Sequence, residues 1–352
     1  MQTGFIRKKS FAGLHAGLIT VIILFIFTLT AHAATTTDPL PAWQDGPVKQ
    51  AIIAFVTEVT DKNNPNYVPV ADRIATFDND GTLWVEQPMY TQVVFAFDRI
   101  KQLAAQHPEW KDEKPFSIIL SGDRQAISKL TLPDIQRIIA VTHTGITTDQ
   151  FQTIVKEWLR TAKSARFNRP YPQLVYQPML EAMDYLRAND FKVYIVTGGG
   201  QDFVRAFSLA AYQVPTEQVI GSAGKTQYTY QNKQPVLMKL PAVLFIDDKV
   251  GKPQAIYLFI GKKPIIAFGN SDGDRQMLEW TQSGPGKRLM LLVHHDDAAR
   301  EYAYGSASRV GTFSDALMAE ANKNHWYVIS MKRDWKVIFP GKPTEISAGM
   351  NK

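Results

Sequence analysis

The sequence predicts an α/β protein: an open, parallel sheet flanked by helices, with a helical module inserted after the first strand. Three observations carry that prediction. Short apolar runs recur, each followed by a turn rich in Gly or Asp and then by a helical pattern, as strand–loop–helix units require. The first run, 74–77, stops abruptly at Asp78-Asn79-Asp80-Gly81-Thr82. The stretch 89–178, about 90 residues, has helical periodicity and little strand signal.

The chain opens with an export-type leader over residues 1–33. Arg7, Lys8 and Lys9 precede an apolar core at 18–29, and Ala31-His32-Ala33 has the small-x-small form of a cleavage site. The apolar core is shorter than the ~20 residues of a membrane span. Cleavage before Ala34 would place the mature chain in a periplasm or outside the cell, free of the membrane. The chain has no cysteine, which excludes disulfides and a lipid-anchored N-terminus. Its formal charge is +6, of which the three leader cations contribute half. That mild balance, with no basic run or basic–aromatic stripe, argues against nucleic acid as a partner.

The elements follow in order. Residues 35–43 are rich in Thr and Pro and read as a mobile leader. Residues 47–60 place Val48, Ile52, Phe55, Val56 and Val59 on one helical face, with Pro47 at the start. After the strand at 73–77, helices are expected at 89–106, 126–139, 148–162 and 178–189. A second buried strand at 192–196 ends in Thr197-Gly198-Gly199-Gly200, and a helix follows at 202–211. A short strand at 219–222 and a hairpin with arms 226–230 and 236–239 flank Asn232. Another apolar run, 243–246, ends at Asp247-Asp248, read as a solvated strand end. Lys252-Pro253 opens a short helix. A strand at 265–268 runs into Gly269-Asn270-Ser271-Asp272-Gly273-Asp274, a helix continues to about 282, and 289–293 forms a last parallel strand. Residues 325–329 and 335–339 are expected to pair at an edge. The core is thus expected over 34–88 and 179–352, and a helical cap over 89–178.

Chemistry in such sheets gathers at the carboxyl ends of the strands, where Asp78, Thr197 and Asn270 all fall. Two aspartates two residues apart repel each other, and a bound cation would offset that cost. A carboxylate beside a metal is a competent nucleophile toward phosphorus. His294-His295-Asp296-Asp297 has apparent metal spacing, but neighbouring side chains on a strand point apart. A place for one histidine at a pocket rim fits better.

Taken together, the segments Phe77–Thr82, Val196–Gly199, Gly251-Lys252-Pro253 and Gly269–Asp274 resemble the four motifs of the haloacid dehalogenase superfamily, in its phosphatase branch. The resemblance covers residues 74–278. A Gly-Gly second motif with a helical insertion between motifs one and two is similar to phosphoserine phosphatase and phosphorylcholine phosphatase relatives. It implies a Rossmann-like core, Mg²⁺ as cofactor, and hydrolysis of small phosphate monoesters through an aspartyl-phosphate. Asp78 would be the nucleophile and Asp80 the general acid and base. Thr197 and the Gly198 amide would bind phosphoryl oxygens, and Lys252, rather than Lys249, would offset the negative charge. Asp78, the Asp80 carbonyl and a motif-four side chain would hold the metal.

This chain carries Asn270 where many members of that superfamily carry aspartate. The reading favours Asn270 as ligand with Asp274 behind it, while Asp272 either ligates or caps the next helix. Trp84 and Glu86 either hold an amine-bearing substrate beneath the cap, or Trp84 packs and Glu86 faces solvent. A dehalogenase fits less well, because that branch lacks the second acidic residue present here as Asp80. A non-catalytic phosphate-ester receptor is the other alternative, favoured by Asn270 alone.

Overall fold

A computed structural model describes residues 38–341. The leader expected over 1–33 lies outside the described residues. Among the described residues, no helix is long and apolar enough to cross a membrane. The site and everything that supports it lie in one compact unit that begins at Pro39.

Seven strands form one sheet: β1 (Ile74–Phe77), β2 (Lys192–Gly200), β3 (Val219–Gln231), β4 (Gln234–Phe245), β5 (Ile266–Gly269), β6 (Leu289–His294) and β7 (Tyr327–Ser330). Their order is β4-β3-β2-β1-β5-β6-β7. All neighbours are parallel except β3 and β4. β1 is central and every one of its residues is buried, which explains why it reads as a continuous apolar run rather than an alternating one.

Alternation along the strands divides the core between the two sheet faces. Phe77, Ile195, Phe268 and Leu291 point to one face, against the helices Pro47–Thr60 and Gln177–Ala188. Val196, Ala267, Met290 and Leu292 point to the other, against the helices Gly251–Phe259 and Arg275–Gln282. Phe77 and Phe268 stack at 4.3 Å across the first face. Register aligns Phe77 with both Ile195 and Phe268. The residues just beyond these three therefore emerge side by side, which brings the distant motifs together.

Between β1 and the helix Gln177–Ala188 lie the helices Thr91–Leu103, Phe116–Ser121, Arg124–Ile127, Leu132–His143 and Thr148–Thr161. They divide between two cores. Phe97, Ile100, Trp110, Phe116, Ile119 and Ile138 form a small cluster of their own. Phe95, Phe151, Val155 and Trp158 instead join the main core. The helix expected over 126–139 is broken because Thr131 caps a new helix in a capping box with Asp134, with Pro133 in its first turn.

Other expectations are corrected. The strand at 219–222, the hairpin and the apolar run at 243–246 are one long hairpin, β3–β4, turning at Asn232 and Lys233 with φ of 50° and 63°. Lys239 on β4 bonds the backbone of residues 145 and 146 (Lys239 N–H to Ile146 O at 2.9 Å, Gly145 N–H to Lys239 O at 3.0 Å). The helix expected at 202–211 breaks into Gln201–Arg205 and Ser208–Tyr212; between them Phe207 lays its ring on Trp84 at 4.5 Å. Residues 335–339 are not a strand, because the short helix Met331–Asp334 follows β7 and Trp335 turns into the core against Trp43 and Tyr176. Leu40 and Trp43 are likewise fully buried, so the segment read as mobile is anchored there.

Candidate active site

Asp78 follows β1 directly, and its backbone N–H donates to Phe268 O at 2.9 Å. Its side chain is buried, with Oδ1 2.5 Å from Lys252 Nζ. Lys252 comes from the first turn of Gly251–Phe259 and is 1 % exposed. It also donates to Val196 O at 2.6 Å and pairs with Asp274 at 2.8 Å. Lys249, the rival lysine, is exposed and has a φ of 52°. Burial pulls the Lys252 ammonium down, but Asp274, Asp78 and Asp247 together outweigh that and hold it above its ordinary value.

Asp80 is held differently. Its Oδ1 accepts the Trp84 indole N–H at 2.8 Å, and a Cβ placed on Gly199 would sit 3.5 Å from its Oδ2. The acid therefore lies over the second-motif glycines, in reach of whatever that loop binds. Burial raises Asp80 to about 6, against the opposing hydrogen bonds of Trp84 and Asn79. Burial, and then Asp274, also raise Asp78 above its ordinary value, and Lys252 beside it opposes them by favouring the ionised form. Buried carboxyls with separated partners are the usual basis of divided acid–base roles.

Thr197 is fully buried on β2, where the register with β3 shifts, and its Oγ1 accepts from Gly199 N–H at 3.1 Å. Gly198 is exposed, with its carbonyl accepting from Ser222 Oγ at 2.8 Å. Asp274 sits behind Asn270: its Oδ2 accepts from the amides of Asn270 (2.9 Å) and Ser271 (3.1 Å). Asp272 neither approaches the other motifs by any hydrogen bond nor caps the next helix. It accepts from Ser314 N–H at 3.0 Å and ties down the loop there.

Trp84 packs, as one of its two readings had it, whereas Glu86, read as facing substrate or solvent, is turned inward. Trp84 is fully buried among Phe203 and Phe207. Glu86 is 2 % exposed and accepts from Asn270 Nδ2 at 2.7 Å and from the Tyr304 hydroxyl at 2.6 Å. Burial pushes its carboxyl up, with the Tyr304 hydrogen bond first among the opposing effects. Gly81, at φ 77°, makes this possible, since a Cβ there would overlap both Asn270 and Glu86. Asp247 is not a solvated strand end. It is fully buried, and among the described residues neither carboxylate oxygen makes a well-formed hydrogen bond, the Thr197 backbone being only a weak partner. Burial raises it to about 7, with Lys252 the main opposing influence.

Two further residues support the site, and of these only Gln92 had no sequence signal. His295 is buried rather than at a rim: its Nε2 donates to Gly81 O at 2.7 Å, and its Nδ1 lies 3.2 Å from Glu301 Oε2. Gln92, on Thr91–Leu103, accepts from Gly200 N–H at 2.8 Å through Oε1, and its Nε2 lies 3.1 Å from His143. It joins the inserted helices to the second motif.

The donor set suits Mg²⁺. Among the described residues no group of three or more His, Cys, Asp or Glu side chains forms a ready-made cage, but Mg²⁺ is usually held by one or two carboxylates and several waters. Asp78 has an oxygen not engaged by Lys252, and no hydrogen bond from the described residues falls on the Asp80 carbonyl. Asp78, Asp80, Glu86, Asp247 and Asp274 are all buried or nearly so around a single ammonium. A divalent cation would offset that excess of negative charge.

A model of the haloacid dehalogenase-like hydrolases matches residues 75–279. The chain belongs to that family. A solved structure of a functionally unknown protein from Anaerococcus prevotii is 16 % identical, with a TM-score of 0.53, over 80 % of this chain and 91 % of that one. A phosphoserine phosphohydrolase-like protein from Francisella tularensis is 14 % identical, with a TM-score of 0.37, over 74 % and 95 %. A probable phosphoserine phosphatase from Vibrio cholerae is 13 % identical, with a TM-score of 0.34, over 65 % and 58 %. No curated protein sequence matches the chain.

Proposed function

We propose that this hydrolase is a Mg²⁺-dependent phosphomonoesterase for small phosphate esters, exported by its N-terminal leader. The observation that carries the reading is the separation of partners at the two aspartates: Lys252 holds Asp78 at 2.5 Å, while Trp84 holds Asp80 at 2.8 Å. One carboxylate is kept beside a cation, as a nucleophile needs. The other is partly buried and raised to about 6, as a proton donor near neutral pH needs.

In the first half-reaction an Asp78 carboxylate oxygen attacks phosphorus. The bond from phosphorus to the leaving oxygen breaks, and Asp80 gives that oxygen its proton. In the second, Asp80, now a carboxylate, takes a proton from water as the water oxygen attacks the aspartyl-phosphate. The bond from phosphorus to Asp78 breaks and inorganic phosphate leaves. Thr197 and the Gly198 amide bind the non-reacting oxygens, and Lys252 offsets the charge shared with the nucleophile. Mg²⁺, held by Asp78, the Asp80 carbonyl and Asn270, would screen the phosphoryl charge from the attacking carboxylate. The inserted helices act as a cap that limits substrate size and excludes water.

Asp78→Asn is expected to abolish hydrolysis of a chromogenic phosphate ester, and EDTA to abolish it reversibly on restoring Mg²⁺. Trapping the phosphoryl group on Asp78 by mass spectrometry tests the intermediate directly. Full activity of the variant, or of the chelated enzyme, would overturn the reading.

A further inference from the structure

Position 270 presents a neutral side chain where a divalent cation calls for negative charge. The acidic residues already assigned there are largely committed. Asp78 shares its Oδ1 with Lys252. Asp274 spends Oδ1 on Lys252 and Oδ2 on the Asn270 and Ser271 amides. Lys252 thus cancels one of these two charges.

The Asn270 side chain points to a further carboxylate. Glu86 is an acceptor, so the amide nitrogen must face it, and Nδ2 donates to Glu86 Oε1 at 2.7 Å. That fixes Oδ1 on the opposite side, where Thr82 Oγ1 is its protein partner at 3.2 Å. Both hydrogen bonds to Glu86, from Asn270 and Tyr304, fall on Oε1; among the described residues none reaches Oε2. Room for the buried carboxylate comes from two glycines, Gly81 and Gly311, at each of which a Cβ would overlap it. Gly81 belongs to the turn that carries Asp80, so Glu86 lies directly beneath the nucleophile loop.

We propose that Asn270 and Glu86 form one composite metal-binding group. Asn270 presents the oxygen, and Glu86, a positioning residue behind it, carries the charge that an aspartate at 270 would bring. A carboxylate that accepts an amide N–H shifts electron density toward the amide oxygen and fixes its direction, as outer partners of metal ligands do. The proposal rests on the Mg²⁺-dependent reading above.

Calorimetric titration of Mg²⁺ into the purified protein tests it, with thermal unfolding in the absence of metal as the check on folding. Glu86→Gln is expected to weaken Mg²⁺ binding by about 10- to 100-fold. Adding Asn270→Asp to it moves the charge back to the ligand position, and is expected to restore affinity to within a few-fold of the parent. A folded Glu86→Gln protein that binds as tightly as the parent overturns the proposal. So does weakened binding that the double variant fails to restore. If Glu86→Gln alone does not fold, the double variant decides by the same criterion. A parent protein that binds no Mg²⁺ would instead sink the metal-dependent reading itself, so the two failures are distinct.

Discussion

Trp84 donates its indole N–H to Asp80 at 2.8 Å from within a cluster of Phe203, Phe207 and, beyond them, Phe95 of the inserted helices. The Asp80 carboxyl is therefore held by the hydrophobic core. The bond stabilises the ionised carboxylate and so lowers the Asp80 pKa, against the larger effect of burial. Its removal must raise that pKa. A general acid works in its protonated form, so kcat/KM should fall as pH rises through the Asp80 pKa. Trp84→Phe is expected to move this alkaline limb to higher pH, read from pH–rate profiles with a phosphate ester. An unmoved limb would separate Asp80 from the proton-donor role.

Asp247 makes a stability prediction. Its folded pKa is raised to about 7 from an ordinary 3.8, so the folded state binds the proton more tightly than the unfolded chain. The resulting penalty is absent below about pH 4, grows as pH rises, and is complete above about pH 7. Asp247→Asn removes it. The variant should gain stability relative to the parent between pH 4.5 and pH 8, by about 2–4 kcal/mol in urea unfolding. Equal differences at the two pH values would contradict the burial argument.

His295 holds the Gly81 carbonyl and faces Glu301 while stacked on Tyr304 at 4.3 Å. His295→Ala leaves the buried Gly81 carbonyl without its donor, while Glu301 Oε2 keeps the Tyr302 N–H at 2.6 Å, at a cost of about 1–3 kcal/mol. Because Gly81 carries the turn after Asp78, turnover of a phosphate ester should fall more steeply than stability alone explains. A loss of stability with unchanged kcat would show that the turn keeps its shape without the ring.

Gln92 is the acceptor for the Gly200 N–H. Gln92→Ala should expose that amide, and hydrogen exchange at residues 199–201 should quicken while exchange in β1 stays unchanged. Exchange equal to that of the parent would mean that another acceptor takes over.

The sheet was legible because each inner strand is a short apolar run that ends at a turn, and burial on both faces enforces such runs. The four motifs were legible because the turn after β1 places Asp78, Asp80 and Gly81 close in sequence, and Lys252 stands just ahead of a Pro at a helix start. What stayed hidden depends on tertiary placement. Nothing local distinguishes a buried Asp247 from a solvated Asp248, since only the neighbouring helix and β3 decide which is covered. Nor does any periodicity reveal that Glu86 turns under Gly81 or that His295 reaches the same turn from β6, 214 residues away in sequence. The hairpin was cut into pieces because Gly224 and Pro241 interrupt the alternation that the folded ladder continues across, with register shifts near Gly224.

The bonds between Lys239 and residues 145 and 146 have a consequence for solubility. β4 is the outermost strand, and a bare outermost strand is a template on which other chains can add and grow aggregates. Here the inserted helices spend one of their loops shielding the middle of that strand. The apolar pair Val243 and Leu244, 59 % and 66 % exposed, stands beyond the shield, and any sticking between copies under stress should begin there.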